Sequence, residues 1–454
     1  MSKRKGVVVA LGLLVTAVLV VSVQGMGGGF ADDLIMEYRF DGVIDDVVLD
    51  EAEMTAGEAR ALGMRGFDDR STADTVRVEY PRVVVTREGP DPGYEGSLKS
   101  LTFYDKNHRV LKEIDISPET QTSPSMSQKC VGLRQATIGG SKRETESTQF
   151  LLLDENGAQV LEMKFVGGRD FLVADNGNFV SWGAGGGYTG DRLYFYDSKG
   201  SLLGEGAAPK GDYLSVRGAY SPSGKYVAIA FSDPDGVLTL YNYRGKEIWT
   251  RDLKKEVGAS ASMAEQLIVS PDEEHIYLSI SLTDSRRVGR HYSFCFDING
   301  RELFRRDGPH LGRFSPDGRY LALLERPPVL ARVVSDGRMS LSYEEYGDQA
   351  IELTDLSTGV SFWKHTERNA FINSVDVSNG GERVVCAVES GEGPKKFLVF
   401  DRGGALICDL RYASAPSLST GGDEEGASVV RIGRAGGSVW LADGDKLELL
   451  HACP

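Results

Sequence analysis

The sequence predicts an all-β fold, a ring of four-stranded antiparallel sheets, and three observations lead to this prediction. Two short turn motifs recur along the chain, strand-like apolar runs flank them, and helical periodicity is almost absent after residue 65. Repetition of a small unit at a steady spacing is typical of architectures in which each unit packs its apolar face against its neighbour. We therefore expect a β-propeller of seven four-stranded blades, within a range of six to eight, preceded by an N-terminal apolar helix.

The first motif is a Ser-Pro-x-Gly turn that precedes an apolar run. Near-copies begin at Ser221 (SPSGKYVA) and Ser315 (SPDGRYLA), and weaker relatives begin at Ala174, Ser270 and Ser378. Pro and Gly supply the backbone of a tight turn, and the run that follows is typical of a buried strand. Each copy therefore predicts a turn between two buried strands.

The second motif is an Asp-x-x-Gly turn that follows an alternating aromatic strand. It begins at Asp105, Asp154, Asp197, Asn242, Asp297, Asp355 and Asp401, at steps of 49, 43, 45, 55, 58 and 46 residues. Gly takes the positive-φ position of the turn, and the Asp side chain can cap the turn two residues on. Such steps suit one four-stranded blade each.

These turns divide the chain into blades. Six blades are assigned to residues 130–167, 168–208, 209–254, 259–307, 308–367 and 370–412. The seventh would combine the C-terminal strands, Val429–Ile432 and Ser438–Ala442, with the N-terminal hairpin around Asp105. Pairing of the two chain ends would remove exposed sheet edges. The propeller domain would then span residues 82–454.

Residues 1–31 predict a secretory signal peptide or an N-terminal membrane anchor. Lys3, Arg4 and Lys5 precede an apolar run over residues 6–23, which is the pattern of a cleaved signal. A run of about 18 residues is also close to the length of a single membrane-spanning helix, whose basic end would stay in the cytoplasm. In both cases the rest of the chain would be extracytoplasmic, either periplasmic or secreted.

Residues 32–81 form an acidic N-terminal segment. Residues 32–53 contain nine carboxylates and a single basic residue, Arg39, among alternating apolar positions. This composition fits a solvated spacer, an extra edge strand or a docking segment for a basic partner, and the spacer is the preferred interpretation.

Composition excludes several kinds of function. With 51 Lys and Arg against 66 Asp and Glu, the net charge is −15, so nucleic acid is not expected as a partner. The six histidines show no metal-ligand spacing, so we predict no metal and no cofactor. The five cysteines contain no C-x-x-C pair. Cys295 and Cys386 lie in strand-like runs, where buried free thiols are expected.

The repeats carry a family resemblance. The segment beginning at Ser315 resembles the WD-like repeats of TolB-type bacterial propellers, and Asn242–Trp249 and Asp355–Trp363 resemble the repeats of quinoprotein-type propellers, including outer-membrane assembly scaffolds. The resemblance covers most of residues 100–450 and implies a bacterial extracytoplasmic propeller. It implies little about activity, because one fold hosts many functions. The chain lacks the adjacent cysteines of many quinoprotein dehydrogenases and the G-x-S-x-G elbow of propeller-bearing peptidases.

Aligning the first motif predicts a cluster of polar residues at one mouth of the central channel. The innermost strands place the following residues at two neighbouring levels: Arg169, Asp170, Val216, Arg217, Glu265, Gln266, His310, Leu311, Asn373 and Ser374. A small ligand or peptide could be recognised there, with Arg217, Glu265, Gln266 and His310 as candidate ligand-binding residues. The preferred alternative is that these are solvated rim residues paired with each other across blades. Trp249 and Trp363 are expected to be packing anchors.

One blade predicts an insertion. Ser315 and Asp355 are 40 residues apart, against 21 and 27 for the same pair of turns in two other blades. The excess, Pro327–Asp348, contains Arg332, Tyr343 and Tyr346 as candidate partner-binding residues, because long insertions on a rigid scaffold often bind.

The sequence thus predicts a non-enzymatic protein-interaction scaffold at the cell envelope, with an envelope or secreted protein as its partner. The alternative is an enzyme or small-ligand binder with its site at the channel mouth. A sensor anchored through residues 6–23 is a third hypothesis.

Overall fold

The computed structural model describes most of the chain after residue 33 as short antiparallel strands. The described residues are 34–39, 43–55, 75–87, 98–116, 120–124, 129–139, 144–183, 192–208, 216–231, 236–257, 261–283, 289–308, 310–325, 330–333, 339–342, 348–368, 370–390, 395–412, 429–432, 438–443 and 446–451. Within them the strands form eight four-stranded sheets and one two-stranded sheet.

We number the four-stranded sheets I to VIII along the chain and give the strands of each from the inside of the ring outwards. Sheet I contains β2 (Val43–Thr55), β3 (Thr75–Arg87), β4 (Leu98–Tyr104) and β5 (Val110–Asp115). Sheet II contains β6 (Thr120–Pro124), β7 (Cys130–Gly139), β8 (Glu144–Asp154) and β9 (Gln159–Val166). Sheet III contains β10 (Arg169–Val173), β11 (Phe179–Gly183), β12 (Arg192–Tyr196) and β13 (Leu202–Ala207). Sheet IV contains β14 (Val216–Tyr220), β15 (Tyr226–Phe231), β16 (Val237–Asn242) and β17 (Glu247–Asp252).

The second half of the chain repeats this order. Sheet V contains β18 (Ala261–Val269), β19 (His275–Thr283), β20 (Gly289–Asp297) and β21 (Glu302–Asp307). Sheet VI contains β22 (His310–Phe314), β23 (Tyr320–Glu325), β26 (Gln349–Asp355) and β27 (Val360–Glu367), and a two-stranded hairpin, β24 (Leu330–Val333) and β25 (Met339–Ser342), interrupts it. Sheet VII contains β28 (Ala370–Val377), β29 (Arg383–Ser390), β30 (Lys395–Asp401) and β31 (Leu406–Tyr412). Sheet VIII contains β32 (Val429–Ile432), β33 (Ser438–Asp443), β34 (Lys446–His451) and β1 (Leu34–Arg39). A helical turn, α1 (Leu253–Val257), and a 3-10 turn (Asn379–Gly381) accompany these strands.

The sheets form a closed ring, which is the architecture of a β-propeller. Inner strands contact each other from sheet to sheet: β6 and β7 contact β10, β10 contacts β14, β14 contacts β18, and β28 contacts β32. Strand β22 contacts β19 on one side and β28 on the other. Sheets I and II share a buried cluster that includes Phe103 and Val131. The contact between β2 and β32 joins the last sheet to the first.

The core lies between the sheets rather than at the centre of the ring. Because each sheet packs against a neighbour on both faces, its middle strands read as continuous apolar runs. In β15 every residue from Val227 to Phe231 is buried. Leu240 of sheet IV packs with Ile276 and Phe294 of sheet V in one such interface.

Both chain ends enter sheet VIII, but the expected partner of the C-terminal strands was wrong. Strand β34 pairs with β1, where Tyr38 lies opposite Leu447. The hairpin around Asp105 instead joins β4 to β5 within sheet I, which is complete without the C-terminal strands. The predicted count of seven blades is therefore not confirmed. The extra strands come from the acidic segment, since β1 and β2 are strands and not the preferred spacer.

Because neighbouring strands are antiparallel, the connections between strands lie on two opposite faces of the ring. In sheets I to VII the first strand joins the second, and the third joins the fourth, at one end, and in sheet VIII β32 joins β33 at this end. Both recurrent motifs lie there, and we call this end the turn face. At the opposite end the second strand joins the third and the outermost strand leads to the next sheet, and we call this end the connection face. The insertion between β23 and β26 lies on the connection face.

The N-terminal and cysteine predictions have separate outcomes. Residues 1–31 lie outside the described residues, so the signal peptide and the anchor stay predictions. No helix in the described part of the chain is long and apolar enough to cross a membrane.

Cys295 and Cys386 are buried free thiols as predicted, and Cys130 is a third. Cys408 is in a disulfide.

Candidate functional site

The polar residues of the first motif join neighbouring turns to each other. The Asp317 carboxylate accepts a hydrogen bond from the Gly380 backbone N–H at 3.0 Å. Asn176 Nδ2 donates to the Ser223 carbonyl at 2.8 Å, and the Ser223 N–H donates to a Glu273 carboxylate oxygen at 2.6 Å. These hydrogen bonds join neighbouring sheets at the turn face, so the polar residues of the motif stabilise the ring.

The second motif docks each turn against the preceding sheet. Trp249 Nε1 donates to the Ile298 carbonyl at 2.9 Å, and Trp363 Nε1 donates to the Arg402 carbonyl at 3.1 Å. Both acceptors belong to Asp-x-x-Gly turns of the next sheet. The two tryptophans are therefore packing anchors, as the sequence predicts. The polar groups of the two turn motifs are thus used in structural contacts.

Gln266, one of the predicted ligand-binding residues, bridges two sheets. Its Nε2 donates to the Gly312 carbonyl at 3.1 Å, and its Oε1 accepts from the Gly312 N–H at 2.7 Å. Ser374, which the alignment places at the same level, accepts from the Val430 N–H of the following sheet at 2.9 Å. Both polar atoms of the Gln266 amide are therefore hydrogen-bonded to β22, the inner strand of the next sheet.

Glu265 lies beside Gln266 at an irregularity in the pairing of β18 with β19. One carboxylate oxygen lies 3.1 Å from His291 Nδ1, and the other accepts from Ser279 Oγ at 3.4 Å. His310 is the first residue of β22 and pairs through its backbone with Glu325. The described contacts of Glu265 are thus within its own sheet.

Arg217 is different from these residues, because its side chain is exposed and has no ion-pair partner among the described residues. It lies one residue from the connection-face end of β14. Together with Asp170 and Arg134 it lines a cavity of about 200 Å³ between sheets II, III and IV. The full lining is Gln121, Thr122, Ser123, Gly132, Arg134, Phe150, Asp170, Phe171, Leu172, Trp182, Val216, Arg217 and Gly218.

An ion pair occupies one side of this cavity. Arg134 Nη1 lies 3.1 Å from Asp170 Oδ1 and also donates to Gln121 Oε1. Burial raises the pKa of the Asp170 carboxyl, and the nearby Arg134 guanidinium partly offsets this effect. The cavity lining therefore contains a partly desolvated carboxyl, the Arg134 guanidinium paired with it, and the Arg217 guanidinium, which has no ion-pair partner among the described residues, together with apolar side chains.

This arrangement suits binding better than catalysis. The cavity lining contains no His, Cys, Lys or Tyr, and its one carboxyl group, that of Asp170, is paired with Arg134. In the described parts of the chain, no group of three or more His, Cys, Asp or Glu side chains could hold a metal ion. Charged groups of both signs next to apolar surface are instead typical of recognition sites.

The predicted partner-binding insertion is a β-hairpin on the same face as the cavity. Arg332 lies in β24, opposite Ser340 of β25. Tyr343 and Tyr346 lie outside the described residues. Because β23 ends at Glu325 opposite the start of β22, the hairpin leaves the ring beside the channel mouth. The two predicted sites therefore share one face of the molecule.

Sequence reasoning missed Arg134 and Gln121. Arg134 lies in β7, a second strand, whereas the alignment considered innermost strands alone. Gln121 lies in β6, the innermost strand of sheet II, but no Ser-Pro-x-Gly turn follows it to anchor an alignment. No signal in the sequence pairs these residues with Asp170, because their proximity depends on how sheets II and III pack.

Comparisons with known proteins give similarity of shape alone. No family model matches the chain, and no curated protein matches it by sequence. Among solved structures, a eukaryotic initiation factor is 12% identical with a TM-score of 0.47, over 73% of this chain and 76% of that chain. Sqt1 of Saccharomyces cerevisiae is 11% identical with a TM-score of 0.47, over 82% and 93%. The β-propeller domain of Cps50 (Swd1) from Myceliophteria thermophila is 11% identical with a TM-score of 0.38, over 74% and 97%.

Proposed function

We propose that this chain is a non-enzymatic protein-interaction scaffold that binds a protein partner on its connection face. The observation that carries the proposal is the difference between the two faces. On the turn face the polar groups of the first motif form hydrogen bonds between sheets, and the Asp carboxylates of the second motif accept hydrogen bonds within their own turns. On the connection face lie the hairpin insertion and Arg217, an exposed arginine that lines the cavity and has no ion-pair partner among the described residues. Binding residues are commonly found on loops that a rigid scaffold positions.

We further propose an extracytoplasmic location, at the cell envelope or secreted, with an envelope or secreted protein as partner. Two features support this location. The basic and apolar pattern of residues 1–31 is that of a signal peptide or of a single-helix anchor over residues 6–23. The disulfide at Cys408 fits an oxidising compartment, since disulfides are rare in the cytosol.

The alternative function, an enzyme or small-ligand binder, is favoured by one observation, the cavity at the channel mouth. If chemistry took place at the channel mouth, Glu265 and His310 would be the residues to carry it, and simultaneous Ala substitution of both should abolish function. Neither is among the described residues that line the cavity. A scaffold that binds through Arg217 and the insertion should keep its partner in that double variant.

The test of the scaffold is affinity capture of the tagged full-length protein from its native envelope. In the first variant an Asn-Gly pair replaces Pro327–Asp348. Asn-Gly closes a two-residue hairpin between neighbouring strands, so β23 and β26 stay paired. In the control variant Lys199→Glu and Arg244→Glu reverse two exposed charges on the turn face.

The proposal expects one partner in stoichiometric amount with the wild type and the control, and its loss with the hairpin replaced. It is contradicted if the partner survives replacement of the hairpin but is lost with the turn-face control. Mass spectrometry of the N-terminal peptide of the captured protein tests the signal and anchor interpretations in the same sample.

A further inference from the structure

The cavity between sheets II, III and IV has a size that limits what it can hold. Its volume of about 200 Å³ lies below the roughly 300–1,000 Å³ of sites that enclose whole drug-sized ligands. It is sufficient for a single amino-acid residue. A site of this kind fits an anchor residue of a larger partner, since a few buried anchors carry most of the energy of an interface.

The cavity also offers two complementary charged groups. The Arg217 guanidinium has no ion-pair partner among the described residues, and guanidinium groups bind carboxylates through two parallel hydrogen bonds. Asp170 uses Oδ1 for Arg134, and no described donor contacts its Oδ2, which can accept a further N–H. The cavity can therefore satisfy one carboxylate and one N–H donor at the same time.

Below these groups lies apolar surface. Phe171, Leu172, Trp182 and Val216 line the cavity, and Phe171 and Trp182 are largely buried. A carboxylate alone would leave this surface unfilled, and an apolar side chain alone would leave Arg217 unpaired. The C-terminal residue of a polypeptide presents a carboxylate, a backbone N–H and a side chain on one Cα atom.

We propose that this cavity binds the C-terminal residue of the protein partner, with an apolar side chain. Arg217 binds the terminal carboxylate, Asp170 accepts the backbone N–H of the same residue, and the side chain contacts Phe171, Trp182 and Val216. Arg134 is a positioning residue that holds Asp170 in place. The inference rests on the proposed scaffold function and names the chemistry of its partner.

The test is titration of the full-length protein with N-acetylated Gly-Ser-Gly-Ser-Leu, followed by calorimetry and by Trp fluorescence. Trp182 is in the cavity wall, so its emission should change on binding, and Trp182→Phe should remove that change. The same peptide with an amidated C-terminus removes the charge that Arg217 recognises. Free leucine separates a peptide site from a small-molecule site.

The expected result is saturable binding of the free-acid peptide, with amidation or Arg217→Gln weakening it at least tenfold, or about 1.4 kcal/mol. Arg244→Gln, an exposed arginine on the turn face, is the matched control and should bind like wild type. Equal binding of acid and amide, equal binding of free leucine, or no binding at millimolar peptide would overturn the inference.

Affinity capture with Arg217→Gln separates this inference from the scaffold proposal. Loss of the partner supports both. If the partner persists with Arg217→Gln but is lost when the hairpin is replaced, the connection face binds it without the cavity, and the C-terminal anchor is wrong while the scaffold stands.

Discussion

Single residues at the channel mouth have unequal roles, although the repeat places them at equivalent positions. Gln266 bonds to both backbone polar groups of Gly312, 46 residues away. Arg217, at the same level of another sheet, has no ion-pair partner among the described residues. The repeat predicts that both lie near the channel, but it does not predict which bonds to the next sheet. That depends on the lateral packing of the sheets, which leaves no local pattern in the sequence.

The role of Gln266 can be tested by its removal. Gln266→Ala would leave the N–H and carbonyl of buried Gly312 without these bonds, so we expect a loss of about 1–3 kcal/mol in the free energy of unfolding. Gln135→Ala, at an exposed position of β7, is the control and should change stability by less than about 0.5 kcal/mol. Chemical denaturation measures both, and equal stability of the two variants would contradict the bridging role.

Protonation of His108 makes the free energy of unfolding depend on pH. It has a positive φ of 59° in the turn that begins at Asp105. Burial lowers the pKa of His108 to about 4, and the Asp105 carboxylate partly offsets this. In the unfolded chain His108 titrates near its usual pKa of about 6.5. The unfolded state therefore binds more protons below this pH, and stability falls between about pH 6.5 and 4.

Replacement of His108 should remove that part of the pH dependence. Asn tolerates positive φ, so His108→Asn keeps the turn and eliminates the titrating group. We expect the free energy of unfolding of the wild type to fall by on the order of 1–3 kcal/mol more than that of His108→Asn between pH 7 and 4. Denaturation at a series of pH values measures this, and parallel profiles would contradict the assignment.

At the scale of the elements, the turn motifs determine where strands begin and how sheets dock. In the turn that begins at Asp401, Gly404 has φ of 85°, and a Cβ atom there would lie 2.4 Å from Cγ of Trp363 on the preceding sheet. The sequence predicts the need for positive φ. It does not predict the close approach, because Trp363 belongs to another repeat.

Two Gly→Ala variants distinguish the stability cost of backbone strain from the cost of the close contact with Trp363. Gly167 also has a positive φ, of 77°, but a Cβ there would meet nothing within 4 Å. Gly167→Ala should therefore cost only the strain of the left-handed conformation, about 1–2 kcal/mol. Gly404→Ala should cost about 1–3 kcal/mol more, because Trp363 must move. If thermal denaturation gave equal losses, docking of this turn would not depend on the close approach.

For the molecule as a whole, the two turn motifs predict the bounds of a sheet where they occur, and the prediction fails where they are absent. The ranges 168–208 to 370–412 correspond to sheets III to VII, whereas 130–167 contains only three of the four strands of sheet II and misses β6. Sheet I was misassigned because its two inner strands, β2 and β3, are joined by residues 56–74, which contain neither motif. The prediction put C-terminal strands in their place, but these strands, β32 and β33, belong to sheet VIII.

The cysteines provide a test of the compact ring and of its proposed location. Cys130, Cys295 and Cys386 are buried, and burial raises the pKa of all three thiols, that of Cys130 to about 11. We expect no reaction with a thiol reagent at pH 8 in the native protein, because neither access nor thiolate is available. Unfolding without reductant should release three reactive thiols, and reduction should add two more from the disulfide at Cys408. Five reactive thiols before reduction, in protein isolated without reductant, would argue against an oxidising compartment.

Binding of the partner to the connection face can be tested by hydrogen exchange of the captured complex. Amide exchange is compared with and without the partner in peptides from both faces. We expect slower exchange in 327–348 and around Arg217 when the partner is bound. We expect unchanged exchange in the turns at 221–225 and 355–359. Protection confined to those turns would show instead that the partner binds the opposite face.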